Sequence, residues 1–107
     1  MGKSKHDQIA EYLAKKFGTE YKKHKGIDIV TKDRAIEVEV TKGGIYQGIK
    51  QVKRSSKARY IAVNDKNIQD VLNATEGTGI GVMDEKGRIL KEGEVEGKAM
   101  RVEITRR

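Results

Sequence analysis

Asp28, Glu37 and Glu39 are the residues of this chain best spaced to do chemistry. They sit in two apolar runs, Gly26-Ile27-Asp28-Ile29-Val30 and Ala35-Ile36-Glu37-Val38-Glu39-Val40, separated by Thr31 to Arg34. Side chains two apart on a strand share a face, so Glu37 and Glu39 point one way and Ile36, Val38 and Val40 the other. A hairpin turn at Lys32-Asp33, or one spanning Thr31 to Arg34, places Asp28 opposite Glu37 and Gly26 opposite Glu39. Three carboxylates then crowd one patch of sheet, although like charges opposed across a ladder cost about 0.2–1 kcal/mol. Hard divalent cations take oxygen ligands, commonly one or two carboxylates with waters and a substrate phosphate. Asp28 and Glu37 are the expected metal ligands, and the Val38 carbonyl between the two glutamates is a third donor. A cation held there activates water and offsets charge building up on a phosphoryl group. The plainer alternative is a half-buried hairpin whose polar face meets water.

The elements that must position these groups follow from periodicity. Ile9, Ala10, Leu13, Ala14 and Phe17 recur at helical spacing, predicting a helix over Lys5 to Phe17 with Ser4 as N-cap and Gly18 as stop. Glu20 to His24 is expected to form a short polar edge strand. Gly43-Gly44 ends the second strand of the hairpin, and Ile45, Ile49 and Val52 predict a helix over Ile45 to Ser56. Tyr60 to Val63 is a nearly continuous apolar run, as in an interior strand. Asp65 is expected to cap a helix over Lys66 to Ala74. Thr78 to Asp84 and Arg88 to Leu90 are expected to form a second hairpin turning at Asp84 to Gly87, and Ala99 to Thr105 a last strand. Gly79 and Gly81 are read as strand glycines that permit close packing. The sum is one mixed α/β domain, residues 1–107, built on one sheet.

Composition narrows the function classes. Lys and Arg number 23 against 16 Asp and Glu, a net charge of +7 that suits a polyanionic partner. There is no cysteine, which excludes disulfides and thiolate zinc sites. No apolar run approaches the ~20 residues that span a bilayer, and the N-terminus lacks a secretory pattern, so a cytoplasmic protein without a membrane partner is expected. Lys50, Lys53, Arg54, Lys57 and Arg59, with Lys42, make the region around the second helix basic. Phosphate contact and a merely solvated face are equal readings of that region. Gln47 and Gln51 lie four apart and share a helix face. The four tyrosines are too scattered along the sequence for a base-stacking platform.

The order helix, strand pair with Asp28 then Glu37-Val38-Glu39, helix, strand resembles the core of the PD-(D/E)XK nuclease superfamily. It is most similar to small archaeal Holliday junction resolvases and restriction-endonuclease-like proteins. The resemblance covers about residues 5 to 64. It implies a restriction-endonuclease-like core with an extra C-terminal helix and β-hairpin, and Mg²⁺-dependent cleavage of DNA phosphodiesters, with Mn²⁺ able to substitute. It also implies metal binding by Asp28 and Glu37, with no small-molecule cofactor. Most members carry Lys where this chain has Glu39. Glu39 would then help position or deprotonate the attacking water, or Lys42 or Lys50 would reach the site instead. Gln47 or Gln51 would place water or phosphate, Gln51 being assigned to the catalytic set. A first-helix Glu of resolvase-like members corresponds to His6, with Asp7 behind it. Cutting both strands requires two sites, which a homodimer formed through the C-terminal strands would supply. Two other readings stand: a catalytically inactive DNA-binding module of the same fold, and an interaction protein whose basic surface docks on an acidic partner.

Overall fold

The computed structural model describes residues 2–23 and 26–95. The expected strand over Ala99 to Thr105 and the position of His24 lie outside them. Three α-helices and five strands follow in the order α1 (Lys5–Lys16), β1 (Ile29–Val30), β2 (Arg34–Glu39), α2 (Ile45–Val52), β3 (Ala58–Val63), α3 (Ile68–Ala74), β4 (Gly81–Met83) and β5 (Ile89–Lys91). Short 3₁₀ turns over Lys42–Gly44 and Asp65–Asn67 lead into α2 and α3. The strands form one mixed sheet in the order β1-β2-β3-β4-β5. β2, β3 and β4 are parallel, and the outer pairs β1·β2 and β4·β5 are antiparallel.

Strand alternation divides the core in two. Ile36 and Val38 of β2, with Tyr60 and Ala62 of β3, pack under Ile9, Ala10, Leu13 and Ala14 of α1. Ala35, Ile61, Val63 and Val82 face the other way, onto Ile45, Ile49 and Val52 of α2 and Val71 of α3. Each helix thus buries a stripe whose spacing is visible in the sequence. Tyr60 to Val63 are all buried, as an interior strand covered on both faces requires.

The local signals explain most boundaries. Ser4 caps α1 by accepting from the Asp7 N–H, and Gly18 takes φ 71° just beyond the helix end. In the first hairpin Ile29 pairs with Ile36 and Val30 with Ala35, and the Thr31 N–H donates to the Arg34 carbonyl, so the turn is Lys32-Asp33. Several boundaries differ from expectation. α2 ends at Val52, four residues before Ser56, in a run of turns whose N–H groups bond back to Ile49, Gln51 and Val52. Asp65 is not the cap of α3: Asn64 precedes a 3₁₀ turn over Asp65–Asn67, and the α-helix starts at Ile68. Asn67, buried, donates to the Val40 carbonyl and to Asn64, which draws this turn onto the end of β2. The expected edge strand at Glu20 to His24 reduces to one bridge, Tyr21 to Ile29, with the Lys22 N–H donating to the Asp28 carbonyl.

Candidate functional site

Asp28 lies one residue before β1, at the point where the β1·β2 ladder stops. Its side chain takes over from the ladder, since Asp28 Oδ2 accepts from the Val38 N–H at 3.0 Å. The Asp28 N–H in turn donates to Glu37 Oε1 at 3.0 Å. The hairpin register therefore brings Asp28 and Glu37 together as the spacing indicates. The N–H and C=O of one strand residue leave the strand on the same side. The Val38 carbonyl is thus directed to the open edge beside Asp28 rather than into β3.

Glu39 lies on the same face as Glu37 and reaches under the start of α2. A Cβ added at Gly48 would stand 2.6 Å from Glu39 Oε2, and one at Gly44 would stand 2.6 Å from Oε1. These two glycines let the helix sit directly on the carboxylate. Gly26, at φ 74°, makes the bend into the Asp28 strand, and the Gln51 amide lies beside it. Gln51 thus lies beside the segment that leads into Asp28, whereas Gln47 is exposed.

The first helix adds a cation. His6 Nε2 lies 3.2 Å from Asp28 Oδ2, and His6 Nδ1 lies 3.2 Å from the Tyr21 hydroxyl. Tyr21 donates to Asp7 Oδ1 at 2.7 Å, and Lys23 Nζ pairs with Asp7 Oδ2 at 3.1 Å. A continuous polar chain thus runs from Lys23 through Asp7, Tyr21 and His6 to Asp28. Hydrogen bonding to Asp28 raises the His6 pKa to about 9 against the opposing effect of burial. The Tyr21 hydroxyl, followed by Lys23, lowers that of Asp7 to about 2. Burial and the bond to Asp7 raise that of Tyr21. Tyr21 and Lys23 were not among the residues singled out by spacing. Tyr21 is 14 residues from Asp7, and only its backbone bridge to Ile29 brings them together. Pairing the Glu20 to His24 segment against the Asp28 strand is the one sequence-level step that points to it.

The two glutamates are held toward their neutral forms. Burial, then the charge of Asp28, pushes the Glu37 pKa up to about 8, and burial pushes that of Glu39 up to about 7. Each folded-state value exceeds the ordinary 4.5, so the stability each contributes is complete below about pH 4.5 and is lost as the pH rises through 7 and 8. Replacing Glu37 by Gln keeps an oxygen for the Asp28 N–H and removes the penalty. In metal-free buffer E37Q is expected to match the parent at pH 5 and to melt higher at pH 9. The gain is on the order of 1 kcal/mol, or about 4–8 °C. Thermal melts by circular dichroism at the two pH values check this; a difference that does not grow with pH would contradict it.

The basic residues separate into groups. Lys50 on α2, and Lys53 and Arg54 just after its end, are exposed. Lys42, also exposed, stands 3.9 Å from Asp70. Lys57 donates to the Thr31 carbonyl at 2.6 Å, which ties the hairpin turn to the segment before β3.

Among the described residues no three His, Asp or Glu side chains converge on one point as a ready-made metal cage. The donor set still suits a hard cation, since such ions are often held by one or two carboxylates with waters. Asp28 and Glu37 each have a second oxygen beyond those already engaged, and the Val38 carbonyl faces the same edge. Scans against protein-family models, curated proteins and solved structures each return no match for this chain. Among the described residues no helix is long and apolar enough to cross a membrane.

Proposed function

We propose that the chain is a metal-dependent DNA endonuclease with a restriction-endonuclease-like core, acting as a homodimer. The observation that carries this reading is the meeting of Asp28 and Glu37 at the open end of a hairpin, in a chain of net charge +7. Burial and the nearby Asp28 charge disfavour the ionised forms of Glu37 and Glu39, and a cation bound beside them would favour ionisation. Asp28, Glu37 and the Val38 carbonyl would hold Mg²⁺ or Mn²⁺. Once bound, such an ion lowers the pKa of its water and offsets charge on the scissile phosphate. Glu39, half-buried beneath α2, accepts a proton from the attacking water. Gln51 orients that water or a phosphate oxygen. Lys50, Lys53 and Arg54 hold the DNA backbone without reading its sequence.

A second reading is a DNA-binding module of the same fold that does not cut. Two observations favour it: Glu39 stands where a lysine is usual in the resembling superfamily, and the His6 cation already compensates Asp28. The two readings part in one assay. Duplex, nicked, single-stranded and four-way DNA are incubated with and without Mg²⁺, and binding at low salt is measured in parallel. Metal-dependent cutting supports the nuclease. Salt-sensitive binding without cutting in Mg²⁺ or Mn²⁺ supports the silent module. No affinity for DNA at low salt would end both and leave an acidic protein as the partner.

A further inference from the structure

A groove separate from the acidic edge lies between α2 and α3. It measures about 170 Å³ and is lined by Lys42, Ile45, Tyr46, Asp70, Asn73 and Ala74. Tyr46 is 69% exposed, more than any other large hydrophobic side chain described. Tyr12, the other exposed tyrosine, already has the Lys86 ammonium 5.3 Å from its ring centre. Among the described residues no Lys or Arg lies over the Tyr46 ring. The groove therefore combines an exposed aromatic side chain with apolar Ile45 and Ala74 in its lining.

Its polar groups are of a kind that reads the edge of a base. The Asp70 carboxylate accepts from exocyclic amines. The Asn73 carbonyl accepts from Gln69 at 3.1 Å, so its amide offers N–H groups. Lys42 stands at the rim, its ammonium 3.9 Å from Asp70 and largely exposed, within reach of a phosphate. On the same exposed side of α2, Lys50 and Lys53 follow Tyr46 at four and seven residues, which is one helical row. The row carries positive charge from the groove along the helix. A volume of about 170 Å³ suits one planar ring.

We propose that this groove takes an unpaired nucleobase, stacked on Tyr46, while Lys42, Lys50 and Lys53 hold the flanking phosphates. The inference rests on the DNA-binding part of the proposed function and adds a substrate class: DNA that carries an unpaired base, as in a gap or flap, rather than continuous duplex. In an intact duplex every base is stacked, and presenting one to a protein requires unstacking and unpairing it. Base stacking on an aromatic residue is sequence-tolerant, and its loss on alanine substitution corresponds to about fivefold to a hundredfold in affinity.

The test measures binding in EDTA, where no cutting occurs, and scores cleavage separately in Mg²⁺. Two probes are compared: a duplex with a short single-stranded gap carrying 2-aminopurine, and the same duplex without the gap. The parent is expected to bind the gapped DNA more tightly and to quench the 2-aminopurine. Y46A is expected to weaken gapped binding about tenfold, to abolish the quenching and to leave duplex affinity unchanged. Y46F and Y12A are expected to behave like the parent. Equal losses on both probes with Y46A, or no loss on either, would overturn the inference. Cutting with no Tyr46 effect removes the groove and keeps the nuclease. A Tyr46 effect without cutting keeps the groove and removes catalysis. No binding of either probe at low salt removes both.

Discussion

D28N is expected to lower Mg²⁺-dependent cleavage by at least about a thousandfold and to leave the fold intact. Asp28 would be one of two carboxylates on the cation, and the cation supplies several kcal/mol of transition-state stabilisation. At 1.36 kcal/mol per factor of ten, losing about 4 kcal/mol gives that reduction. The substitution is mild structurally because the asparagine oxygen can still accept from the Val38 N–H, as Asp28 Oδ2 does at 3.0 Å. It does remove the charge that His6 faces, so the imidazole should titrate nearer its ordinary 6.5 than its present value of about 9. Cleavage rates with parent and variant, beside a thermal melt of each, decide the matter. Equal metal-dependent rates would show that the cutting comes from another site or another protein.

G81A is expected to produce a large loss of stability, matched among the glycine substitutions only by a change at Gly93. A Cβ at Gly81 would run into the backbone of the chain leaving β5: the Gly93 nitrogen, the Lys91 carbonyl oxygen at 2.5 Å and the Glu92 carbonyl carbon at 2.7 Å. None of these is the end of a flexible side chain that could swing away. The crossing is pinned on both sides, by the Glu94 N–H donating to the Gly79 carbonyl and by the Tyr60 hydroxyl donating to Glu92. Gly93 is as constrained, since a Cβ there would collide with the Arg59 carbonyl oxygen. Overpacking of this kind costs about 1–3 kcal/mol or more, which corresponds to a melting point lowered by roughly 4–24 °C. G43A is the control, because a Cβ there meets nothing within 4 Å and the backbone is not left-handed. A G81A melting point no lower than that of G43A would show that the crossing gives way freely.

The closeness of the β5 exit to Gly81 also bears on assembly. The C-terminal strands are the expected surface of the proposed dimer, and β5 is the outer strand on that side among the described residues, with Leu90 exposed at 44%. Light scattering at micromolar concentration tests the homodimer. A monomer at all concentrations would leave cutting of both strands to successive encounters.

Local chemistry determined a good deal of this molecule by sequence alone. The α1 stripe and the buried run Tyr60 to Val63 are legible from hydrophobic spacing, the Ser4 cap from a residue type placed before a helix, and the pairing of Ile29 with Ile36 follows from either turn the spacing allows, the structure choosing Lys32-Asp33. Because the hairpin register is local, it also placed Asp28 beside Glu37. Tertiary structure decided the rest. The approach of His6 to Asp28 depends on how α1 lies across the sheet edge. The Tyr21 and Lys23 partners of Asp7 depend on a single backbone bridge from an irregular segment. The groove at Tyr46 exists only because α2 and α3 pack on the same face. Such contacts join residues far apart in the chain, and their energies come from burial and hydrogen bonding that no local period encodes.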